Sequence, residues 1–165
     1  WSARGLNDRR KTLWGGFAVL APGFHLFYSG DTGYSKDFLA IRERLAARQR
    51  QEDGGGFDLA LLPIGAYEPR WFMHNQHVDS AEAVQIHRDL GAKRSMGVHW
   101  GTFELTDESL DEPPRALARA RDAAGLRSED FFVLAIGETR VLPRRSPSPS
   151  SLPGPSSATG PDVHR

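Results

Sequence analysis

Two polar residues stand where apolar segments of this sequence end, a third precedes a helix-like segment, and the types of all three suit metal chemistry. Asp31 follows the apolar stretch FHLFYSG, His99 follows SMGV, and His77 precedes a segment that begins like a helix. Imidazole and carboxylate groups bind zinc at about 2.0–2.2 Å, and a carboxylate has two oxygens with which it can bridge two ions. Asp31 and His99, 68 residues apart, suit a metal site assembled from separate strand ends.

Each of these residues also has a plainer interpretation. Asp31 lies in GDTGYS, where an Asp side chain can bond its own backbone in a turn and Gly33 can supply a left-handed position. The same Asp-Thr-Gly sequence suggests an aspartic protease, but that chemistry needs a second carboxylate and has no use for histidines. His99 could be a core histidine, and His77 could simply lead into a helix. Backbone N–H groups at a helix start favour an anion such as phosphate, so His77 is also a candidate substrate contact.

The composition narrows the class of protein. The 165 residues contain 21 Lys and Arg, 21 Asp and Glu and no cysteine, and the formal net charge is zero. Without a basic excess, no nucleic-acid partner is expected. Without thiols, disulfides and Cys-ligated zinc are excluded, so any metal must be held by His, Asp or Glu. No apolar run reaches the roughly 20 residues of a membrane span.

Alternating strands and helices must position the candidate residues. LWGGFAVLA and FHLFYSG flank a Pro-Gly turn and predict an antiparallel hairpin that ends at Asp31, while FDLALLPIGA and KRSMGVHW predict further strands. Helices are predicted for SKDFLAIRERLAARQRQ, DSAEAVQIHRDLG and EPPRALARARDAAG. The second of them has a capping-box pair, Asp79 and Glu82, and a C-terminal Gly91. FFVLAIGETRVL predicts a final hairpin or strand pair.

This alternation predicts one α/β domain over residues 1–143. In such sheets the chemistry collects just past the carboxyl ends of the strands, where Asp31 and His99 stand. Residues 146–160 contain six Ser, four Pro and two Gly, too little apolar surface to order a chain. Residues 144–165 are therefore predicted to be a disordered tail.

Six separated motifs resemble one known family. TLWGGFAV, GDTGY, PIGAYEPRWFM, QHVD with EAVQIH after it, SMGVHWGTF and EPP occur in that order. They are similar to the C-terminal half of the N-acylphosphatidylethanolamine-hydrolysing phospholipases D, a family of the metallo-β-lactamase superfamily. The resemblance covers about residues 1–142. It implies an α/β fold, the C-terminal half of an αββα sandwich.

The resemblance also implies an activity and a site. It implies two Zn²⁺ ions and hydrolysis of a phosphodiester bond, which releases an N-acylethanolamine and leaves phosphatidic acid. By this resemblance Asp31 bridges the two ions, His99 is the last histidine ligand, and His77 contacts the substrate head group, so that Asp31 and His77 are catalytic. The implied partners are a phospholipid substrate, a membrane surface and a second copy in a homodimer. The implied location is cytoplasmic or peripheral to a membrane.

The sequence departs from the family in one important respect. The superfamily motif His-x-His-x-Asp-His, and a further histidine between it and Asp31, are not present. We therefore expect a fragment of a longer enzyme that does not hold a working two-zinc centre alone and that exposes an apolar sandwich face. Two other functions stay open: a non-catalytic remnant that serves as an interaction module, and a metallo-hydrolase of a soluble sugar phosphate or lactone.

Overall fold

The computed structural model of the chain describes residues 15–51 and 55–145. Within them, five strands form one mixed sheet in sequential order. The first strand pairs with the second antiparallel, and all other neighbours pair in parallel. The predicted hairpin and the α/β class are thus confirmed. The strands are β1 (Phe17–Ala21), β2 (Phe24–Tyr28), β3 (Leu59–Pro63), β4 (Ser95–Val98) and β5 (Phe131–Phe132).

The three predicted helices are also present, and capping residues mark both ends of one of them, α3 (Ser80–Leu90). In α3 the Asp79 carboxylate accepts a hydrogen bond from the Glu82 N–H at 2.8 Å, and the Glu82 carboxylate accepts one from the Asp79 N–H at 3.1 Å. Gly91 then ends the helix with a left-handed φ of 60°. The helices are α1 (Asp37–Gln51), α2 (Arg70–Met73), α3 (Ser80–Leu90) and α4 (Glu112–Ala123). The short α2 was not predicted, and none of these helices is long and apolar enough to cross a membrane.

The helices lie on one face of the sheet. Helix α1 connects β2 to β3, α3 connects β3 to β4, and α4 connects β4 to β5. Right-handed crossovers between successive neighbours place all connecting helices on the same side, and α3 indeed packs against both α1 and α4. The core lies between this helical layer and the sheet, where Phe27, Ala60 and Leu62 of the strands meet Phe38 of α1 and Leu117 of α4.

The other face of the sheet is apolar but only partly covered. Leu26, Leu61 and Met96 alternate with the core residues of their strands and keep an intermediate exposure. On β1, Phe17 is 67% and Val19 is 50% exposed. A sheet that is apolar on both faces normally carries a layer on each. Together with the helical layer on the opposite face, the only one that residues 15–51 and 55–145 form, this is the α/β half of an αββα sandwich, as the sequence predicted.

The segment after β5 differs from the prediction. The predicted final hairpin is wrong, because β5 ends at Phe132 and residues 133–145 form no further strand. A turn joins the Glu138 N–H to the Ala135 carbonyl at 2.9 Å. The chain then crosses from one sheet edge to the other, where the Arg145 N–H donates to the Gly23 carbonyl at 2.8 Å. The division at residue 143 stays a prediction, and residues 146–165 of the predicted tail lie outside the described residues.

Candidate metal centre

The candidate residues meet at one edge of the sheet. The strands β2, β3 and β4 are parallel neighbours, so their carboxyl ends lie side by side. Asp31 lies three residues past β2, His99 lies directly past β4, and His77 lies in the loop between α2 and α3. One ligand atom from each of these three residues lies within 4.8 Å of the other two. The two predicted metal ligands and the predicted substrate contact are therefore brought together.

The donor set fits a zinc ion. The Nε2 atom of His99 lies 3.5 Å from Oδ1 of Asp31, and the rings of His99 and His77 are 5.1 Å apart between centroids. Two imidazoles and one carboxylate give three protein donors, the number that a catalytic zinc usually takes. The buried Nδ1 atom of His77 has no hydrogen-bond partner among the described residues.

His77 is neutral near pH 7. Burial is the strongest influence and lowers the pKa of His77 below its ordinary 6.5; nearby His99 acts in the same direction, and Asp31 opposes them. A neutral imidazole has one N–H donor and one free lone pair. His77 can therefore either bind a cation or donate a hydrogen bond to a substrate oxygen.

Glycine allows the Asp31 loop to approach the His77 loop closely. The Val78 N–H donates to the Thr32 carbonyl at 2.9 Å and ties the two loops together. A Cβ added at Gly33 would stand 2.7 Å from the Asn75 carbonyl oxygen, closer than real side chains come to a backbone atom. Gly33, the second glycine of GDTG, therefore allows the two loops to lie close enough for Asp31 to approach His77.

A second close backbone contact fixes His99. His99 has a left-handed φ of 59°, and Ala66 in the loop after β3 has a φ of 61°. Such conformations are uncommon for residues with a side chain and must be held by their surroundings. A Cβ added at Gly65 would lie 2.3 Å from the His99 carbonyl oxygen, so the two loops are in direct contact.

Arg70 holds the loop that carries His77. Its guanidinium donates to the His77 carbonyl at 2.8 Å and to the Tyr67 carbonyl at 3.3 Å. It also pairs with Glu82 at 2.7 Å and with Asp79 at 3.5 Å, the two capping residues of α3. Two carboxylates therefore balance the charge of Arg70. Its role is structural, and its guanidinium is not free to bind a phosphate group.

A cavity of about 310 Å³ opens beside His99. It lies between the loop after β3 and the loop after β4, and its end is closed by the start of α4. The lining is mainly apolar, and among its residues are Ala66, Trp100, Phe103, Leu105, Leu110 and Pro113.

Sequence reasoning missed three residues that shape this site: Gly65, Arg70 and Glu108. A glycine directly after a buried strand is a signal for close backbone approach, so Gly65 could have been recognised. Arg70 and Glu108 had no such signal in the sequence. Arg70 donates to backbone carbonyls, and Glu108 accepts from the backbone N–H groups of Tyr67 and Glu68. The positions of these backbone atoms depend on the fold.

Comparisons with known proteins agree with this picture. Residues 1–100 match the family described as "Beta-lactamase superfamily domain". The chain is 41% identical over 138 residues to "N-acyl-phosphatidylethanolamine-hydrolyzing phospholipase D 1" of Caenorhabditis elegans, covering 82% of this chain and 36% of that protein. It is also 41% identical over 133 residues to "N-acyl-phosphatidylethanolamine-hydrolyzing phospholipase D, mitochondrial" of Saccharomyces cerevisiae, covering 79% of this chain and 27% of that protein.

Among solved structures, Igni18, described as a metallo hydrolase from Ignicoccus hospitalis, is similar with a TM-score of 0.47 and 22% identity. The likeness covers 72% of this chain and 41% of that one. The family match and the two curated relatives confirm the family resemblance seen in the sequence. The chain spans about a third of the length of the curated relatives it matches.

Proposed function

We propose, because this chain belongs to the β-lactamase superfamily, that it is part of a metal-dependent hydrolase. The observation that carries the proposal is the convergence of Asp31, His77 and His99 within 4.8 Å at the carboxyl edge of the sheet. We further propose that the metal is zinc and that the reaction is the hydrolysis of N-acylphosphatidylethanolamine. The 41% identity to two proteins named for that activity supports this finer proposal.

Asp31 and His99 would hold the metal, and His77 would face the substrate. A bound zinc ion would lower the pKa of water toward 7 and polarise a phosphoryl oxygen. The half-buried, neutral His77 would donate its N–H to a phosphoryl or leaving-group oxygen and so orient the substrate. With His77 facing the substrate, Asp31 and His99 are two donors, fewer than the three protein ligands that one catalytic zinc usually takes, so the remaining ligands of a two-zinc centre would come from outside this chain.

The cavity beside His99 supports a lipid substrate rather than a soluble one. Its apolar lining suits an acyl chain, whereas a sugar phosphate or lactone would leave those apolar groups in water. Release of N-acylethanolamine from lipid vesicles by the full-length protein tests this choice. Turnover of soluble phosphoesters or lactones alone would favour the other hydrolase.

Alanine variants of the full-length protein test the site. We expect Asp31→Ala and His99→Ala to lose both bound zinc, measured by mass spectrometry of the metal, and lipid hydrolysis. We expect His77→Ala to keep zinc and lose turnover. His74→Ala, which changes an exposed histidine three residues away, is the matched control and should change neither. Full zinc content in Asp31→Ala would refute the metal assignment, and zinc loss in His77→Ala would make His77 a ligand.

The activity of the 165-residue chain alone is a separate question. We propose that it binds zinc weakly and does not hydrolyse the lipid, since its donors are incomplete for two ions. Lipid hydrolysis by the purified chain, abolished by a chelator, would contradict this. A full-length protein without bound zinc would instead favour the non-catalytic remnant.

We also propose that the protein is cytoplasmic or peripheral to a membrane and that it meets a membrane surface near this site. Trp71 is 79% and Phe103 is 73% exposed, and they lie on the two segments that carry His77 and follow His99. Aromatic side chains of this kind partition into lipid interfaces. We expect Trp71→Ser with Phe103→Ser to weaken sedimentation with phospholipid vesicles, while Val141→Ser, which changes a residue 91% exposed, should not. Unchanged sedimentation of the double variant would refute the contact.

A homodimer is proposed as well. The partly exposed apolar face of the sheet supports some form of association. Sedimentation equilibrium of the full-length protein tests it, and a mass equal to one chain at micromolar concentration would refute it.

A further inference from the structure

Glu108 lies in the loop after β4 and links it by hydrogen bonds to the loop after β3. The N–H of Tyr67 donates to Oε1 of Glu108 at 3.2 Å, and the N–H of Glu68 donates to Oε2 at 3.0 Å. The backbone beside it adds a third bond, from the Asp107 N–H to the Glu68 carbonyl at 3.4 Å. Both carboxylate oxygens are thus used to hold two consecutive N–H groups from a distant part of the chain.

The loop held by Glu108 is the one that contacts His99. Tyr67 directly follows Ala66, whose φ of 61° is left-handed, and Gly65 lies against the His99 carbonyl. Left-handed backbone is unfavourable at a residue with a side chain. Ala66 and His99 both have this conformation, so the contact between the two loops needs an external tie. Glu108 lies nine residues after His99 and provides it.

The charge of Glu108 is held by the backbone rather than by a cation. No Lys, Arg or His pairs with it among the described residues 15–51 and 55–145. Burial, the largest single influence, raises the pKa of Glu108, but the N–H of Glu68, the N–H of Glu108 itself, the hydroxyl of Thr106 and the N–H of Tyr67 together outweigh it and lower the pKa. Glu108 is therefore ionised at neutral pH. Its carboxylate accepts hydrogen bonds from backbone N–H groups and does not form a surface ion pair within the part of the chain that the structure describes.

We propose that Glu108 is a positioning residue, whose carboxylate fixes the Tyr67–Glu68 backbone and, through Ala66 and Gly65, the place of His99. Glu108 is not one of the three grouped donors, although it also lines the cavity beside His99. The inference rests on the proposed function in one respect: it takes His99 to be a metal ligand.

Replacing Glu108 by Gln in the full-length protein tests the proposal. The Gln side chain has the same shape as that of Glu, but an NH₂ group replaces one acceptor oxygen. This donor would face a backbone N–H, which is also a donor, so one hydrogen bond is lost. Groups that orient metal ligands in this way cost 10–100-fold in metal affinity when they are changed. We expect Co²⁺, used as the probe, to bind about 10–100-fold more weakly, with an altered visible spectrum. Glu104→Gln, which changes an exposed residue of the same loop, is the matched control and should bind Co²⁺ as the wild type does.

A second measurement needs no metal. In the metal-free protein, Glu108→Gln should shift the amide resonances of Tyr67 and Glu68 and the ring resonances of His99, and Glu104→Gln should not. Unchanged Co²⁺ affinity together with unchanged His99 resonances would overturn the proposal. If even the wild type fails to bind Co²⁺, the proposed function fails, and the ring resonances of His99 still decide the role of Glu108. Should Glu108→Gln not fold, Glu108→Asp, with both oxygens on a shorter side chain, gives the same two readouts.

Discussion

Replacing Gly65 by Ala should displace His99 without altering the side chain of any proposed metal ligand. The new Cβ would lie 2.3 Å from the His99 carbonyl oxygen, whereas ordinary contacts begin at 3.4 Å, so one backbone must retreat by about 1.1 Å. The obstacle is backbone and cannot rotate away. A misplacement of about 1 Å can cost about 100-fold in turnover, and overpacking of this kind destabilises a fold by about 1–3 kcal/mol.

We therefore expect Gly65→Ala to lower kcat/KM for lipid hydrolysis by about 100-fold and to weaken zinc binding, measured by competition with a coloured chelator. Gly55→Ala is the matched control, because a Cβ at Gly55 meets nothing within 4 Å and should leave both values unchanged. Thermal unfolding shows whether the variant is folded. A folded Gly65→Ala with wild-type zinc affinity and turnover would refute the idea that this backbone contact positions His99.

Three further outcomes are expected. Asp130→Asn should lower the free energy of unfolding by about 1 kcal/mol at pH 7, because hydrogen bonds from Arg127 hold the pKa of Asp130 at about 2. This stability is present above the ordinary pKa of 3.8 and lost as the pH falls through about 2, where urea titrations of both proteins should converge. Leu62→Ala should cost about 2–5 kcal/mol in the same titration, since Leu62 is fully buried. Zn²⁺ at 100 times its Kd should add about 2.7 kcal/mol to the wild type in calorimetry and nothing to Asp31→Ala.

Much of the fold could be predicted because the relevant signals are local. Helix α3 is marked at both ends by Asp79, Glu82 and Gly91, whose side chains or conformations act within a few residues. The placement of Asp31 and His99 followed from a general rule, since parallel strands end at the same edge of a sheet. The structure brings the two residues together as that rule requires.

The parts that could not be predicted depend on contacts between distant segments. FFVLAIGETRVL has the composition of a strand pair, but its second half forms no strand, and Arg145, three residues beyond it, donates to Gly23 at the other sheet edge. Glu108 is one of 21 acidic residues, and nothing near it in sequence reveals that it binds the Tyr67 backbone 41 residues away. Arg70 likewise donates to the carbonyl of His77, in the loop between α2 and α3, and that contact exists only once the loop has formed.

The separation of the site residues along the chain has a consequence for folding. His99 is 22 residues from His77 and 68 from Asp31, and the strands that carry the site join through helical crossovers. Contacts between such distant segments form slowly, because the loops must close before the contacts can stabilise them. We therefore expect the edge that holds Asp31 and His99 to become native late and to exchange its amide hydrogens sooner than the core around Leu62.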